Sequence, residues 1–305
     1  MFASLRKVLQ SLPSRAAVVE VSARDGLQAV SQALSPARRA AWIRRLLDAG
    51  VPEAEAGSFV HPGRVPQMAG AAQVLKILQP YAERLWVLVP NRRGLEEALA
   101  AGARNLVCMV SATETHSRAN LGRTVSQVLA DLGALARDAH AAGARTRIAV
   151  SMAWIDPDEG AVAPERVVWL VRELGDAGFR ELTLCDTYGG ASPRAVAGLV
   201  EAVAPDFPPT QVGLHLHDTF GVAAANTLAG LAAGVRRFDG SIGGLGGCPF
   251  APGARGNADM GHLAYLLHSL GVETGIDRPA LARAATECLA ELGTAGAAPC
   301  PPPAC

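Results

Sequence analysis

The chain has 305 residues, half of them hydrophobic, and its 28 basic and 28 acidic side chains cancel. This composition excludes a disordered chain, and the length allows a substantial core. A balanced charge gives no support to nucleic-acid binding, which needs a basic excess. No apolar run reaches the roughly 18 residues that span a bilayer. We therefore expect a globular protein without a nucleic-acid or membrane partner.

The N-terminal stretch allows two interpretations. Arg6, Lys7 and Arg15 lie among serines with no acidic residue, as in a transit peptide. A short helix that closes the bottom of a barrel would have the same pattern, and a strand predicted from residue 17 leaves little to cleave. We favour this helix. The six cysteines form no CxxC pair, which favours a reduced setting, so we expect a cytoplasmic, bacterial-type location over the mitochondrial matrix.

Short apolar runs alternate with helical stretches along the chain. Strands are predicted at 17–21, 54–58, 85–89, 105–110, 147–151, 181–185, 212–217 and 237–242. Several of the helices begin at Ser or Pro and end at Gly. The helices are predicted at 36–49, 69–78, 95–101, 124–142, 164–177, 192–204 and 223–233.

Eight strand–helix alternations in about 260 residues predict an α/β fold, a parallel (β/α)₈ TIM barrel. A doubly wound sheet is the alternative, but it usually has a phosphate-binding loop after its first strand. Here that strand runs into Ser22-Ala23-Arg24-Asp25-Gly26, which is not such a loop. We expect one catalytic domain over 1–298, with extra C-terminal helices from about residue 260, and a mobile proline- and cysteine-containing tail at 299–305.

The strongest metal-ligand pattern is Gly213-Leu214-His215-Leu216-His217-Asp218, in the seventh predicted strand. Side chains alternate along a strand, so His215 and His217 share one face, with Cα atoms about 6.5–7 Å apart and both leucines buried behind. Two core histidines bonded to the backbone would give the same pattern. Imidazole is nevertheless a common ligand, and both rings can hold one divalent cation.

Polar side chains gather at the predicted carboxyl ends of the strands, where TIM barrels carry their chemistry. Strands one, seven and eight become neighbours when the barrel closes, so Asp25, His215, His217 and Asn257 can converge. Two imidazoles and two oxygen ligands suit an octahedral Mg²⁺ or Mn²⁺ with open positions for a substrate. Other candidates at strand ends are Glu55, Ser58, Asn91, Ser111, Ser151, Thr183, Asp186 and Thr187.

Two further residues have both a chemical and a structural interpretation. Arg24 can form an ion pair with Glu55 that only fills the barrel, or Glu55 can orient Arg24 as a stabiliser of an oxyanion or enolate. These two interpretations are compatible. Cys248 follows a run of glycines in a loop that could close over a substrate, although an incidental cysteine is the alternative.

With these residues assembled, about residues 15–290 resemble the 3-hydroxy-3-methylglutaryl-CoA lyase family. Two of the motifs given next, the one from His215 and the one from Gly244, are together too long for chance agreement. The resemblance rests on Arg24-Asp25-Gly26-Leu27-Gln28, Glu55-Ala56-Gly57-Ser58-Phe59-Val60, Val65-Pro66-Gln67-Met68, Asp186-Thr187-Tyr188-Gly189, His215-Leu216-His217-Asp218-Thr219-Phe220-Gly221, and Gly244-Leu245-Gly246-Gly247-Cys248-Pro249-Phe250 with Gly256-Asn257.

The resemblance implies a TIM barrel that uses Mg²⁺ or Mn²⁺ to cleave 3-hydroxy-3-methylglutaryl-CoA into acetyl-CoA and acetoacetate. It also implies an acyl-CoA substrate as partner and a homodimer. By motif, the metal ligands become Asp25, His215, His217 and Asn257. The catalytic set becomes Arg24, at the thioester carbonyl, with Cys248, His215 and Glu55. The residues expected to bind substrate are Arg24, Gln28, Ser58 and Thr183.

Two stretches depart from the family pattern. Gln28 is followed by Ala29-Val30-Ser31 where the family has Asn-Glu-Lys, and Ala149 replaces an aromatic residue, which would widen the acyl pocket. One alternative is therefore the same cleavage of a longer 3-hydroxy-3-alkylglutaryl-CoA. Others are a metal-dependent aldolase or Claisen-type barrel acting on 2-oxo acids, and a catalytically silent homologue that binds CoA or metal.

Overall fold

The structure is a computed structural model that describes residues 2–247 and 256–293. Strands form near all eight predicted positions, and a short hairpin that the sequence did not indicate follows the fifth strand. The strands are β1 (Ala17–Glu20), β2 (Glu53–Ser58), β3 (Leu85–Leu88), β4 (Asn105–Ser111), β5 (Arg145–Ser151), β6 (Ile155–Asp156), β7 (Gly160–Ala161), β8 (Glu181–Asp186), β9 (Val212–Leu216) and β10 (Arg237–Gly240).

Eight of these strands close into a parallel barrel, so the TIM-barrel prediction is confirmed. Their order round the barrel is β1, β10, β9, β8, β5, β4, β3, β2, and β2 pairs again with β1. The remaining strands, β6 and β7, form the antiparallel hairpin. Barrel closure brings β1, β9 and β10 side by side, although β9 starts only at Val212 and β10 at Arg237.

Helices connect successive barrel strands, and two more follow the last strand, as predicted. They are α1 (Phe2–Gln10), α2 (Pro36–Asp48), α3 (Ala71–Ile77), α4 (Arg92–Ala100), α5 (Glu114–His116), α6 (Val125–Ala141), α7 (Pro164–Asp176), α8 (Pro193–Val203), α9 (Ala223–Ala232), α10 (Met260–Ser269) and α11 (Arg278–Ala290). Ser35 and Ser192 cap α2 and α8 with their hydroxyl oxygens.

Two helices differ from the sequence prediction. The helix predicted at 69–78 is shorter because Gly70 adopts a left-handed conformation with φ of 73°, and α3 starts after it. The helix predicted at 95–101 starts three residues earlier. The side chain of Asn91 accepts a hydrogen bond from the Gly94 N–H and caps α4. Asn91 is therefore a capping residue, and its side-chain oxygen is already used in the helix.

The predicted N-terminal helix forms as α1, and two of its apolar side chains are exposed. Val8 and Leu9 are 39% and 41% exposed, and the interpretation of this helix as closing the barrel bottom stays a prediction. Leu12, just beyond the helix, is partly buried against the core. Across the described residues we find no helix that combines the length and apolar character of a membrane span.

The main core lies between the barrel and its helices. Leu214 and Leu216 of β9 point outward into this layer, as the alternation predicted, and both are buried. Each buried leucine contributes about 1.5–3 kcal/mol. Gly230 of α9 allows this close packing, because a Cβ there would lie 2.4 Å from Leu214 Cδ1. The strand is thereby fixed with its histidines directed away from the helices.

A buried amide ties the start of β4 to the segment before β3. Asn105 Nδ2 donates to the carbonyl oxygens of Leu85 at 2.9 Å and Glu83 at 3.1 Å. Asn105→Ala should destabilise the fold by about 1–3 kcal/mol, because the buried Leu85 carbonyl loses this partner. The midpoint of urea unfolding measures this. Asn120→Ala, at an exposed position, is the matched control, and equal midpoints for both variants would contradict the assignment.

Candidate metal and active site

Strand β9 presents its two histidines at the carboxyl end of the barrel. His215 is on the strand, and His217 follows it in an antiparallel bridge with Asn257. The two Nε2 atoms are 3.2 Å apart, and both side chains are buried. The alternative of two core histidines bonded to the backbone does not account for two ring nitrogens directed at one another.

Asp25 completes a three-residue cluster with the histidines. A π-helical turn, Ser22–Gly26, follows β1 and carries this carboxylate towards β9. Its Oδ2 lies 3.9 Å from His215 Nε2 and 4.0 Å from His217 Nε2. One potential ligand atom from each residue lies within 4.8 Å of the others, so this group could hold a metal ion. The sequence prediction that these three distant residues converge therefore agrees with the geometry.

Asn257 lies beside the cluster but presents its nitrogen. Asn257 Nδ2 donates to Asp25 Oδ2 at 2.8 Å and to the Leu245 carbonyl at 2.9 Å. In this arrangement the amide orients the carboxylate. Asn257 would bind a metal ion through its side-chain oxygen instead, so its role as a metal ligand stays a prediction.

Asp239 of β10 holds the ring of His215 on the side away from the cluster, and Asp239 was not identified from the sequence. Asp239 Oδ2 lies 3.1 Å from His215 Nδ1. When Nδ1 donates its proton to this carboxylate, Nε2 offers its lone pair to the cluster, as in histidines that bind metals. The signal that could have placed Asp239 on the interior face is its alternation with the apolar Phe238 in the predicted strand 237–242.

The protonation states suit a divalent cation. Burial raises the pKa of Asp25, but Arg24 and the two histidines outweigh burial and hold that pKa well below its usual range. Burial and the neighbouring His215 lower the pKa of His217 to about 4. Burial also lowers the pKa of His215, yet the hydrogen bond to Asp239 and the charge of Asp25 produce a net increase. A carboxylate and a neutral imidazole are thus available at neutral pH.

Arg24 lies against the cluster, held by carboxylates on both sides. Its Nε donates to Glu55 Oε2 at 2.5 Å, and its Nη1 donates to Asp25 Oδ1 at 2.6 Å. Burial lowers the pKa of Arg24, but Glu55 and Asp25 outweigh it and raise the pKa, so the guanidinium stays charged. Arg24 therefore forms the predicted ion pair and also places a permanent positive charge beside the potential metal ligands.

A second arginine, Arg147 of β5, holds Glu55 from the opposite side. Arg147 Nη2 donates to Glu55 Oε1 at 3.0 Å, and its guanidinium carbon lies 4.5 Å from the centre of the Trp86 ring. Both carboxylate oxygens of Glu55 are thereby occupied. Arg147 was not identified from sequence, although it opens the predicted strand 147–151 and alternates with outward-facing Ile148.

The predicted substrate-binding residues occupy different environments. Ser58 and Thr183 are buried, and neither hydroxyl has a hydrogen-bond partner in the described part of the chain. Gln28 is partly exposed, just beyond the turn that carries Asp25. Substrate binding by these three residues stays a prediction. Cys248 and the tail 299–305 lie outside the described residues.

Glu20 joins the two segments that frame the site. Its Oε1 accepts the N–H of Ser22 at 3.0 Å and the N–H of Ile242 at 3.4 Å. Ser22 belongs to the turn that carries Arg24 and Asp25, and Ile242 starts the glycine-rich segment after β10. Burial raises the pKa of Glu20 to about 7, partly opposed by these hydrogen bonds.

This raised pKa makes Glu20 a source of pH-dependent stability. The folded protein binds the Glu20 proton more tightly than the unfolded chain does, so its stabilising contribution is lost as pH rises from about 4.5 through 7. Between pH 5 and 8 the free energy of unfolding of Glu20→Gln should therefore rise by up to about 3 kcal/mol relative to that of the parent. Urea unfolding at both pH values tests this, with exposed Glu165→Gln as control. An unchanged pH slope would argue against it.

Comparisons with known proteins agree with one another. The HMGL-like family model matches residues 15–287. Hydroxymethylglutaryl-CoA lyase of Pseudomonas mevalonii is 43% identical over 279 residues, covering 91% of this chain and 93% of the relative. (R)-citramalyl-CoA lyase of Chloroflexus aurantiacus is 41% identical over 287 residues, covering 90% of each. The crystal structure of Bacillus subtilis HMG-CoA lyase matches with a TM-score of 0.89 and 37% identity, covering 92% of this chain and 95% of that one.

Proposed function

Since the chain belongs to the HMGL-like family, we propose that it is a divalent-metal-dependent carbon–carbon lyase. The reaction is cleavage of 3-hydroxy-3-methylglutaryl-CoA into acetyl-CoA and acetoacetate. The observation that carries the proposal is the convergence of Asp25, His215 and His217 around one point, with the charged Arg24 beside them. Cleavage of this kind needs both a site for the substrate's hydroxyl and a fixed positive charge for the departing enolate.

We assign Mg²⁺ or Mn²⁺ to Asp25, His215 and His217, with Asn257 as a further ligand. When bound, such a cation acts as a Lewis acid and lowers the pKa of the substrate's tertiary hydroxyl. The residues fit this role because the hydrogen bond of His215 to Asp239 leaves its Nε2 free for coordination. The Asp25 carboxylate supplies the negative charge that a hard cation favours.

Arg24 meets the negative charge that develops on the thioester oxygen. Glu55 holds the guanidinium from one side, and Arg147 in turn holds Glu55. A charge fixed before the reaction stabilises the enolate without reorganising as the carbon–carbon bond breaks. Glu55 is thus assigned to the catalytic set as the residue that orients Arg24.

The reaction also moves two protons. A base removes the proton of the tertiary hydroxyl, the carbon–carbon bond breaks, and the acetyl-CoA enolate then takes a proton at carbon. His215 and Cys248 are the candidates for these transfers. His215 is constrained because Asp239 holds its Nδ1 and its Nε2 faces the cluster. That constraint favours Cys248 as the donor to the enolate carbon.

The remaining assignments concern partners and substrate. We propose an acyl-CoA thioester as the small-molecule partner, a homodimer as the assembly and the cytoplasm as the location. Binding of the acyl group is assigned to Arg24, Gln28, Ser58 and Thr183. The similarity to (R)-citramalyl-CoA lyase makes (R)-citramalyl-CoA the second substrate to test. Release of acetyl-CoA from each thioester, with and without a chelator, distinguishes the two activities from a silent homologue.

Removing one imidazole should abolish metal binding. We expect His217→Ala to lose Mn²⁺ binding in calorimetry, because its Nε2 is one of the three ligand atoms in the cluster. The matched control is His262→Ala, since the His262 side chain is 74% exposed on α10. Wild-type Mn²⁺ affinity in His217→Ala would refute the ligand assignment.

Removing the fixed charge should separate metal binding from turnover. Arg24→Met should keep Mn²⁺ yet lose kcat by about 10²–10³-fold or more, because an oxyanion donor contributes this much. Acetyl-CoA release measures kcat. Arg38→Met, at a side chain 56% exposed on α2, should retain the parental rate. Near-normal turnover by Arg24→Met would show that the enolate-stabilising role is wrong.

A further inference from the structure

A cleft of about 390 Å³ lies on the face of the barrel opposite the proposed active site. One wall is α3 with the segment after it, and the other is the end of α4 with the residues that follow it. Leu85, the first residue of β3, lines the cleft, as does Arg104, which directly precedes β4. Both residues lie at the amino ends of parallel strands, whereas His215 and His217 lie at the carboxyl end of β9. The cleft is therefore separate from the metal-binding cluster.

Small side chains keep this cleft open above an apolar floor. Leu75, Leu85 and Ala103 are buried and form the floor. A Cβ added at Gly102 would meet no atom within 4 Å, so this glycine faces open space. Half of the lining consists of alanine and glycine. The complete lining is Ala72, Gln73, Leu75, Lys76, Gln79, Ala82, Leu85, Ala100, Ala101, Gly102, Ala103 and Arg104.

Hydrogen bonds from outside the cleft hold one of its walls in place. Asn105 Nδ2 donates to the carbonyl oxygens of Leu85 at 2.9 Å and Ala82 at 3.4 Å, and both acceptor residues line the cleft. Arg84, between them, donates through Nε to the Pro52 carbonyl at 3.0 Å. The segment that joins α3 to β3 is thereby fixed before any ligand binds. A preformed site binds more tightly, because little ordering accompanies binding.

The polar part of the lining carries positive charge. Lys76 and Arg104 are its two cations, and Gln73 and Gln79 add amide groups. The lining lies wholly within the described residues and contains no acidic side chain. Arg104 Nε lies 3.1 Å from Glu83 Oε1, but the two side chains are 63% and 75% exposed, so this ion pair is weak. The cleft thus combines an apolar floor with a net positive rim.

This combination suits a ligand that has an apolar chain and one negative group. Small-molecule sites are typically concave, about 300–1,000 Å³ in volume and mostly apolar, with a few polar groups that fix the orientation of the ligand. A carboxylate would accept hydrogen bonds from the Lys76 ammonium and the Arg104 guanidinium. An attached alkyl chain would leave water against Leu75 and Leu85. Inorganic phosphate would leave this apolar floor unused.

We propose that this cleft is a second ligand site, which binds small monocarboxylates that carry an apolar chain. Lys76 and Arg104 bind the carboxylate, and the chain lies on Leu75 and Leu85. The proposal goes beyond the lyase activity and does not depend on it, because the cleft shares no residue with the proposed active site.

Calorimetry with octanoate and butanoate on the full chain tests this proposal. A chelator is present throughout, so that no cation in the cluster of Asp25, His215 and His217 can bind the carboxylate. Octanoate should bind with a Kd of about 1 mM or lower, which is within reach of a ligand of this size. Butanoate should bind at least about tenfold more weakly, because each buried methylene changes the affinity about fourfold.

Two variants place the ligand in the cleft. Ala72→Phe, on the exposed side of α3, puts a ring into the cleft and should raise the octanoate Kd at least about tenfold, since it displaces several buried methylenes. Lys76→Met keeps the apolar stem but removes the charge, and should raise this Kd about twofold to fivefold, as expected for an exposed ion pair. Ala130→Phe on α6 and Lys7→Met on α1, both at exposed positions, are the matched controls and should leave the Kd unchanged.

Three results would overturn the proposal. The first is no saturable octanoate binding at about ten times the expected Kd. The second is an unchanged Kd in Ala72→Phe, because the ligand would then lie elsewhere. The third is an unchanged Kd in Lys76→Met, because the charge of the rim would then contribute nothing. Should Ala72→Phe fail to fold, Ala72→Leu replaces it and should also weaken octanoate binding. None of these measurements uses a thioester, so they stand whether or not the chain is a lyase.

Discussion

The pairing of Glu55 with two arginines inside the barrel is the interaction on which the site depends. A buried charge without a partner is costly, and removing one member of a buried pair costs about 3–5 kcal/mol. Glu55 accepts from Arg24 with one oxygen and from Arg147 with the other. Arg24 in turn holds Asp25. The position of Asp25 relative to the histidines therefore depends on charges that must satisfy each other deep in the barrel.

The surroundings of the two histidines explain why the site is suited to a cation. Asp239 holds one nitrogen of His215, and burial keeps His217 neutral. The other nitrogens of both rings then face Asp25. Three potential ligand atoms that lie together, one of them on a carboxylate, create a demand for positive charge. Arg24 meets part of that demand from one edge, and a divalent cation would meet the rest.

The division of the barrel interior into two chemical halves follows from strand alternation. Inward positions on β9 and β10 carry His215 and Asp239, whereas Trp86, Leu88 and Val107 of β3 and β4 form an apolar cluster. Glu20 then couples the turn and the segment that frame the charged half through one buried carboxylate oxygen.

The sequence by itself determined the strand and helix order, the barrel, and the shared face of His215 and His217. These follow from local periodicity, which fixes the side to which each residue points. It also placed Asp25 and Arg24 near them, through the adjacency of the first and last strands of a closed barrel. The short hairpin after β5 escaped detection because two-residue strands carry no periodic signal.

The sequence indicated the pair of Arg24 with Glu55, but only the tertiary structure decided the other partners of the buried charged groups. His215 and Asp239 are 24 residues apart, and Glu55 and Arg147 are 92 residues apart. Their contacts depend on the register between strands, and a shift of one residue would reverse every side chain. The capping role of Asn91 and the orientation of the Asn257 amide were decided in the same way. Local spacing fixes the direction of a side chain, but the atom that it meets depends on how the whole barrel closes.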